Sequence, residues 1–215
     1  MTPRVERLRT ESLNTKPSVS IERALLVTEF YRENAGKFSP PVMRAMNFKN
    51  LWEKQTIYIG EGELIVGERG PRPKAVSTFP ELNLHTAEDL RILNSRPMTS
   101  YDVDPSDIDV YEREVVPYWR GRTMRDRIFR VVPEEWKKAY SAGMFTEFME
   151  QRAAGHTTLD GMIYEKGMLD FQQEIKESLA RLDYLNDPEA IDKEEELKAM
   201  LISCEAAVIF ANRHA

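Results

Sequence analysis

Phe148, Arg152 and His156 place an apolar wall, a guanidinium and an imidazole in one irregular run between Phe145 and Gly161. His156 directly follows Gly155, and an imidazole titrates near neutral pH, so it can donate or relay a proton. Arg152 can hold a carboxylate through two parallel hydrogen bonds. Binding groups gather on loops carried by a rigid scaffold. Residue types alone favour a plainer account, an exposed loop histidine beside a surface arginine.

The other reactive residues are weaker. Cys204 sits among Leu201, Ile202, Ala206, Ala207, Val208 and Ile209, with no histidine nearby to activate a thiolate, so it reads as a small buried hydrophobe. Gly60-Glu61-Gly62 and Gly67-Glu68-Arg69-Gly70 lack the Lys-Ser/Thr and the following helix of a phosphate loop, and read as turns. Asp102, Asp104, Asp107 and Asp109 are spaced like a metal loop. They lack the glycine and final glutamate of a calcium hand, which favours a solvated, helix-capping cluster. His85 and His214 read as structural or surface residues.

The elements that must position these groups are mostly helical. Thr2-Pro3 starts a short basic helix to about Leu13, and Ser20 opens a second that stops near Gly36. Pro40-Pro41 starts a third. Ile57, Ile59, Leu64 and Val66 alternate around Gly60-Glu61-Gly62, which predicts one β-hairpin over Gln55 to Glu68. The stretch from Gly70 to Pro80 holds three prolines and is expected to be extended. Thr86 with Asp89 predicts a capped helix, and Asp104-Pro105 starts another expected to end before Pro117. Helical patterning resumes at Met124, covers about Met168 to Tyr184, and restarts at Asp187-Pro188 with an acidic first turn. Leu197 to Ala215 reads as a buried helix with no Gly or Pro stop signal.

Composition sets the class. A net charge of −6 disfavours a nucleic-acid or acidic-membrane binder, since phosphates demand a cationic face. One cysteine excludes an internal disulfide framework, and no Cys/His group has zinc spacing. No apolar run reaches the roughly 18 residues of a membrane span. The expectation is a cytoplasmic chain, mainly α with one small β-hairpin.

A family resemblance adds to this. Gly62-Glu63-Leu64-Ile65-Val66-Gly67-Glu68-Arg69-Gly70 with Ser77-Thr78-Phe79-Pro80-Glu81 resembles the N-terminal region of glycyl radical enzymes of the pyruvate formate-lyase-like family. So do Arg4-Val5-Glu6-Arg7-Leu8-Arg9 and Tyr118-Trp119-Arg120-Gly121-Arg122-Thr123-Met124-Arg125-Asp126, and the resemblance covers essentially the whole chain in order. Within the family, Thr146-Glu147-Phe148-Met149-Glu150-Gln151-Arg152-Ala153-Ala154-Gly155-His156-Thr157 is most similar to the trans-4-hydroxy-L-proline dehydratases.

The resemblance implies that Phe148 packs on the pyrrolidine ring and that His156 hydrogen-bonds the leaving hydroxyl as proton donor or relay. Glycerol and propane-1,2-diol dehydratases carry a His in the matching region, so a diol substrate stays open, as do isethionate- or choline-cleaving lyases. It also implies a larger α/β enzyme built on a ten-stranded barrel, of which residues 1–215 are the N-terminal portion. The family's thiyl cysteine, its Cys-x-Glu base and its C-terminal radical glycine have no match here, and Cys204 takes none of those roles. No cofactor is therefore implied within this chain. The intact enzyme would carry a glycyl radical installed by a radical-SAM activase and would form a homodimer. Because family members are several-fold longer, the length is expected to mark a truncation, inactive alone, with the remaining barrel packing near Leu201, Val208 and Ile209. A non-catalytic helical binding module, with those three side chains covered, is the alternative.

Overall fold

Thr2 accepts a hydrogen bond from Val5 N, Pro3 occupies the first turn, and α1 runs Pro3–Asn14. The computed structural model describes residues 2–64, 66–68, 70–145 and 161–215. Next come β1 (Ser18–Ser20), α2 (Glu22–Asn34), α3 (Pro40–Lys54), β2 (Ala75–Ser77) and α4 (Ala87–Ser95). They are followed by α5 (Pro105–Val110), α6 (Val116–Trp119), α7 (Met124–Val131), α8 (Glu134–Ser141), α9 (Met162–Glu165), α10 (Met168–Ala180) and α11 (Ala190–Arg213). The chain divides into two units, Met1–Thr28 with Tyr58–Gly155, and Glu29–Ile57 with His156–Ala215.

In the first unit the β pairing differs from expectation. The two three-residue strands run parallel, in register Ser18↔Ala75, Val19↔Val76 and Ser20↔Ser77. Asp102 adds a bridge at Ser18, with Val19 N donating to Asp102 O at 2.9 Å. No hairpin forms among the described residues of 55–68. The turn itself is there: Glu63 N bonds Gly60 O at 3.2 Å, the Glu63 carboxylate accepts from Gly60 N at 3.1 Å, and Gly62 takes φ +79°. Its arms have no face to bury, since Ile59 and Leu64 are exposed, and a lone two-stranded hairpin is marginal in water.

The helix from Pro105 also departs from expectation, continuing through Pro117 to Trp119. Its middle, Tyr111–Val115, is a single π-helical turn, and Val116 N donates to Tyr111 O five residues back. Proline gives no N–H and its ring crowds the carbonyl four residues before it. Widening the turn ahead of Pro117 relieves that conflict without ending the helix. Tyr111 and Val115 are wholly buried there, and Trp119 Nε1 donates to Thr28 Oγ1 at 2.8 Å.

In the second unit α3 and α11 pack in parallel at a near-constant sequence offset. Ser39 Oγ donates to Glu195 Oε2 at 2.5 Å, Lys49 Nζ pairs with Glu205 at 2.9 Å, and the Trp52 and Phe210 rings lie 4.2 Å apart. Arg213 donates to Trp52 O and Gln55 O, satisfying carbonyls at the end of α3. Val42, Ala45 and Ala199 form the seam, with Met46 and Ile202 against it. The expected buried final helix is thus corrected in detail. Its fully buried side chains are the alanines 190, 199 and 206, because small residues let helices approach closely. Leu201, Val208 and Ile209 are all half-buried, between the exposed and the covered expectation. Helix α10 ends at Ala180 rather than near Tyr184. No helix among the described residues is long and apolar enough to cross a membrane.

Candidate functional site

Phe148, Arg152 and His156 lie within 146–160, outside the described residues. Phe145 is the last described residue before them, and the first unit shows what holds it.

The support begins at Arg23 on α2. Its guanidinium forks onto Glu81, with Nη1 to Oε2 at 3.1 Å, donates to Thr78 O at 3.3 Å, and lies 4.0 Å from the Phe79 ring centroid. Both charged side chains are half-buried, which favours a planar fork over a mobile lysine. The same stretch receives the start of α7: Met124 N donates to Glu81 O at 2.9 Å and Arg125 N to Leu82 O at 3.1 Å. These N–H groups belong to the first turn, where a helix has no internal acceptors of its own.

From α7 the support passes to α8. Arg125 Nη2 donates to Tyr140 OH, and the guanidinium lies 4.7 Å from the Tyr140 ring centroid. Phe129 meets Tyr140 edge-on at 5.3 Å. Phe145 then sits edge-on to both Tyr140, at 5.8 Å, and Trp136, at 5.9 Å. The backbone between them is fixed by a Schellman turn. Met144 N bonds Ala139 O at 3.0 Å, Gly143 N bonds Tyr140 O at 2.9 Å, and Gly143 takes φ +73°. Nothing in the local sequence pairs Arg125 with Tyr140. The one local sign of this arrangement was a glycine just past a helix that carries aromatic residues.

Deeper in the unit, burial pushes the Tyr111 hydroxyl up to about 12, an effect the neighbouring Thr78 hydroxyl and His85 backbone only partly offset. Tyr111 OH and Thr78 Oγ1 nonetheless make no hydrogen bond of ordinary geometry among the described residues. His85 is half-buried, and burial lowers its pKa against the raising effect of Asp89.

The remaining candidates are dispersed. Asp104 accepts from Ser106 N at 2.8 Å and its pKa is lowered by the Ser106 hydroxyl and backbone, while Asp102 pairs with Lys16. Lys16, Asp102 and Asp104 border a shallow opening of about 530 Å³ with Ser18, Arg72 and Asn94. Among the described residues no three His, Cys, Asp or Glu side chains gather to hold a metal. Cys204 is half-buried rather than buried, and desolvation and Glu205 push its thiol up, away from the thiolate. His214 packs on the Phe210 ring at 4.3 Å in the second unit.

Comparison with known proteins then places the chain. The family model described as pyruvate formate lyase-like matches residues 1–215. The chain is 45% identical to the trans-4-hydroxy-L-proline dehydratase of Clostridioides difficile over 99% of its own length and 27% of that enzyme. The crystal structure of the C. difficile hydroxyproline dehydratase with trans-4-hydroxy-L-proline bound superposes with TM-score 0.91 at 44% identity, covering all of this chain and 27% of that one. The glycerol-bound, B12-independent glycerol dehydratase of Clostridium butyricum superposes at 0.85 with 30% identity, over 100% and 27%. The chain thus spans about a quarter of the length of the relatives it matches.

Proposed function

The chain belongs to the pyruvate formate lyase-like family, and on that premise we propose that residues 1–215 are the N-terminal part of a glycyl radical dehydratase acting on trans-4-hydroxy-L-proline. The observation that carries the substrate is the 45% identity to a hydroxyproline dehydratase across nearly the whole chain, against 30% to the glycerol enzyme. The overall reaction removes water and leaves a pyrroline carboxylate.

In this reading Phe148 packs on the pyrrolidine ring, Arg152 pairs with the substrate carboxylate, and His156 hydrogen-bonds the hydroxyl at carbon 4. A hydroxyl leaves as water only if its oxygen gains a proton, and an imidazole can supply or relay it. Removal of a substrate hydrogen atom is what the family's radical supplies when present. The radical glycine, thiyl cysteine and carboxylate base lie outside these residues, so the 215-residue chain alone is inactive. The intact enzyme is a cytoplasmic homodimer activated by a radical-SAM enzyme.

The test is turnover by the intact gene product after anaerobic activation, on trans-4-hydroxy-L-proline and on glycerol side by side. Pyrroline carboxylate formation supports the reading. Turnover of glycerol alone replaces it with the diol dehydratase.

A further inference from the structure

A helix of about twelve residues is marginal in water unless something docks it. Helix α1 has that length and no fully buried side chain, and its Val5 and Leu13 are exposed. Two cationic contacts tie it to the rest of its unit, one towards each end.

Near the start, Arg7 Nη2 donates to Glu61 O at 3.0 Å, and Nη1 lies 3.7 Å from the Glu61 carboxylate. The turn is shaped to receive it. Gly62 has φ +79°, and a Cβ there would stand 2.7 Å from Arg7 Nη2 and 3.6 Å from Arg4 Cδ, so a side chain would displace Arg7. Glu63 folds back onto Gly60 N at 3.1 Å and keeps the turn closed.

Near the other end, Lys74 Nζ donates to Ser12 O, one of the last four carbonyls that no N–H inside the helix can reach. Lys74 has φ +54°, uncommon for a residue with a Cβ. Its backbone is fixed on both sides: the N–H donates to Glu68 Oε2 at 3.0 Å, and the carbonyl accepts from Ser18 N at 3.2 Å. Such strain persists where the surroundings over-determine it, and here they aim an ammonium at a helix C-terminus. Tyr58 is half-buried, and its hydroxyl is pushed up by burial and by the carboxylates of Glu11, Glu63 and Glu68. Glu11 belongs to α1, so the helix adds its own carboxylate to those around that hydroxyl.

We infer that α1 is a strap, latched by Arg7 on the Gly60–Glu63 turn and by Lys74 on Ser12, which opens as one piece while the rest of its unit stays folded. The glycine-flanked turn then serves as a dock for α1 rather than as the tip of a hairpin. Undocking removes what keeps so short a helix helical, so opening and unwinding are one event. This inference goes beyond the substrate reading and does not depend on it.

Amide exchange in the intact gene product reads the opening, because the N–H groups of residues 7–14 are protected only while α1 is helical. Wild-type α1 amides are expected to exchange faster than those of α3 and α11, at a rate that low denaturant leaves unchanged. Arg7→Leu and Lys74→Asn should each quicken α1 exchange about tenfold, with exchange in α3 and α11 and the thermal midpoint unchanged. Leucine keeps the helix propensity of arginine and asparagine tolerates positive φ, so neither variant disturbs the backbone. Gly62→Ala reaches the first latch from the turn side and should quicken α1 by a similar factor.

If α1 amides exchange as slowly as those of α11 and accelerate with denaturant in step with them, α1 opens only with the whole protein and the strap is wrong. Variants whose α1 exchange stays within twofold of wild type overturn the latches. Variants that quicken exchange throughout the chain and lower the midpoint overturn the strap equally, since the contacts then support the fold at large. Turnover is not read in this experiment, so its failure is distinct from failure of the dehydratase reading.

Discussion

Thr123 and Asp126 cap α7 reciprocally: Thr123 Oγ1 accepts from Asp126 N at 2.9 Å, and Asp126 Oδ2 accepts from Thr123 N at 3.1 Å. Thr123 is almost wholly buried, so its hydroxyl cannot fall back on water. This box fixes the start of the helix whose Arg125 reaches Tyr140. Thr123→Ala is expected to destabilise the protein by about 1 kcal/mol, within the usual range for losing a cap, and Thr123→Ser to recover most of it. Chemical denaturation of the three proteins is the measurement, and an unchanged midpoint for the alanine variant would rule the cap out.

Backbone conformation can be separated from packing at two glycines. Neither Gly36 nor Gly67 has an atom within 4 Å of where a Cβ would stand, but only Gly36 has positive φ, at +76°. Gly36→Ala should therefore cost about 1 kcal/mol while Gly67→Ala stays near neutral. Equal midpoints in a melt of the two variants would refute this.

His85 makes stability depend on pH. Its pKa is lowered in the fold, so the unfolded chain binds its proton more readily. Its contribution is complete above the ordinary histidine pKa of about 6.5 and is lost as pH falls through the lower folded value. Between pH 7 and pH 5 the wild-type thermal midpoint should fall more steeply than that of His85→Gln. Parallel slopes would show that His85 does not drive the change.

On the proposed chemistry, His156→Ala in the intact enzyme should lower turnover of trans-4-hydroxy-L-proline by about 10² to 10⁴. Phe148→Ala should instead raise KM, since the ring contributes contact rather than a proton. Anaerobic steady-state kinetics distinguish the two, and a His156→Ala enzyme with wild-type kcat would remove the imidazole from the mechanism.

Much of the helical framework was legible along the chain because its determinants are local. The caps at Thr2, Thr86 and Asp104 form as read, and the second helix stops near Gly36, which takes positive φ. The hairpin over Gln55 to Glu68 was misread because alternation describes a strand that has a face to bury, and these arms have none among the described residues. Pro117 misled for the opposite reason. A proline is a helix stop only when the turn before it keeps α geometry, and the π turn at Tyr111–Val115 removes that condition. In the candidate site, Phe148, Arg152 and His156 are named from residue type and family pattern alone and lie outside the described residues. Arg125 and Tyr140 could not be read in that way, since nothing in their local sequence says that they meet.

The sequence by itself determined the class of the protein: charge, a single cysteine, helix caps and family motifs are written in residues near one another along the chain. Tertiary structure alone decided the parallel pairing of Ser18–Ser20 with Ala75–Ser77, the parallel seam of α3 with α11, and the Arg125–Tyr140 contact behind Phe145. Each joins residues whose partner choice depends on what remains to be buried once the helices exist, and no local preference encodes that.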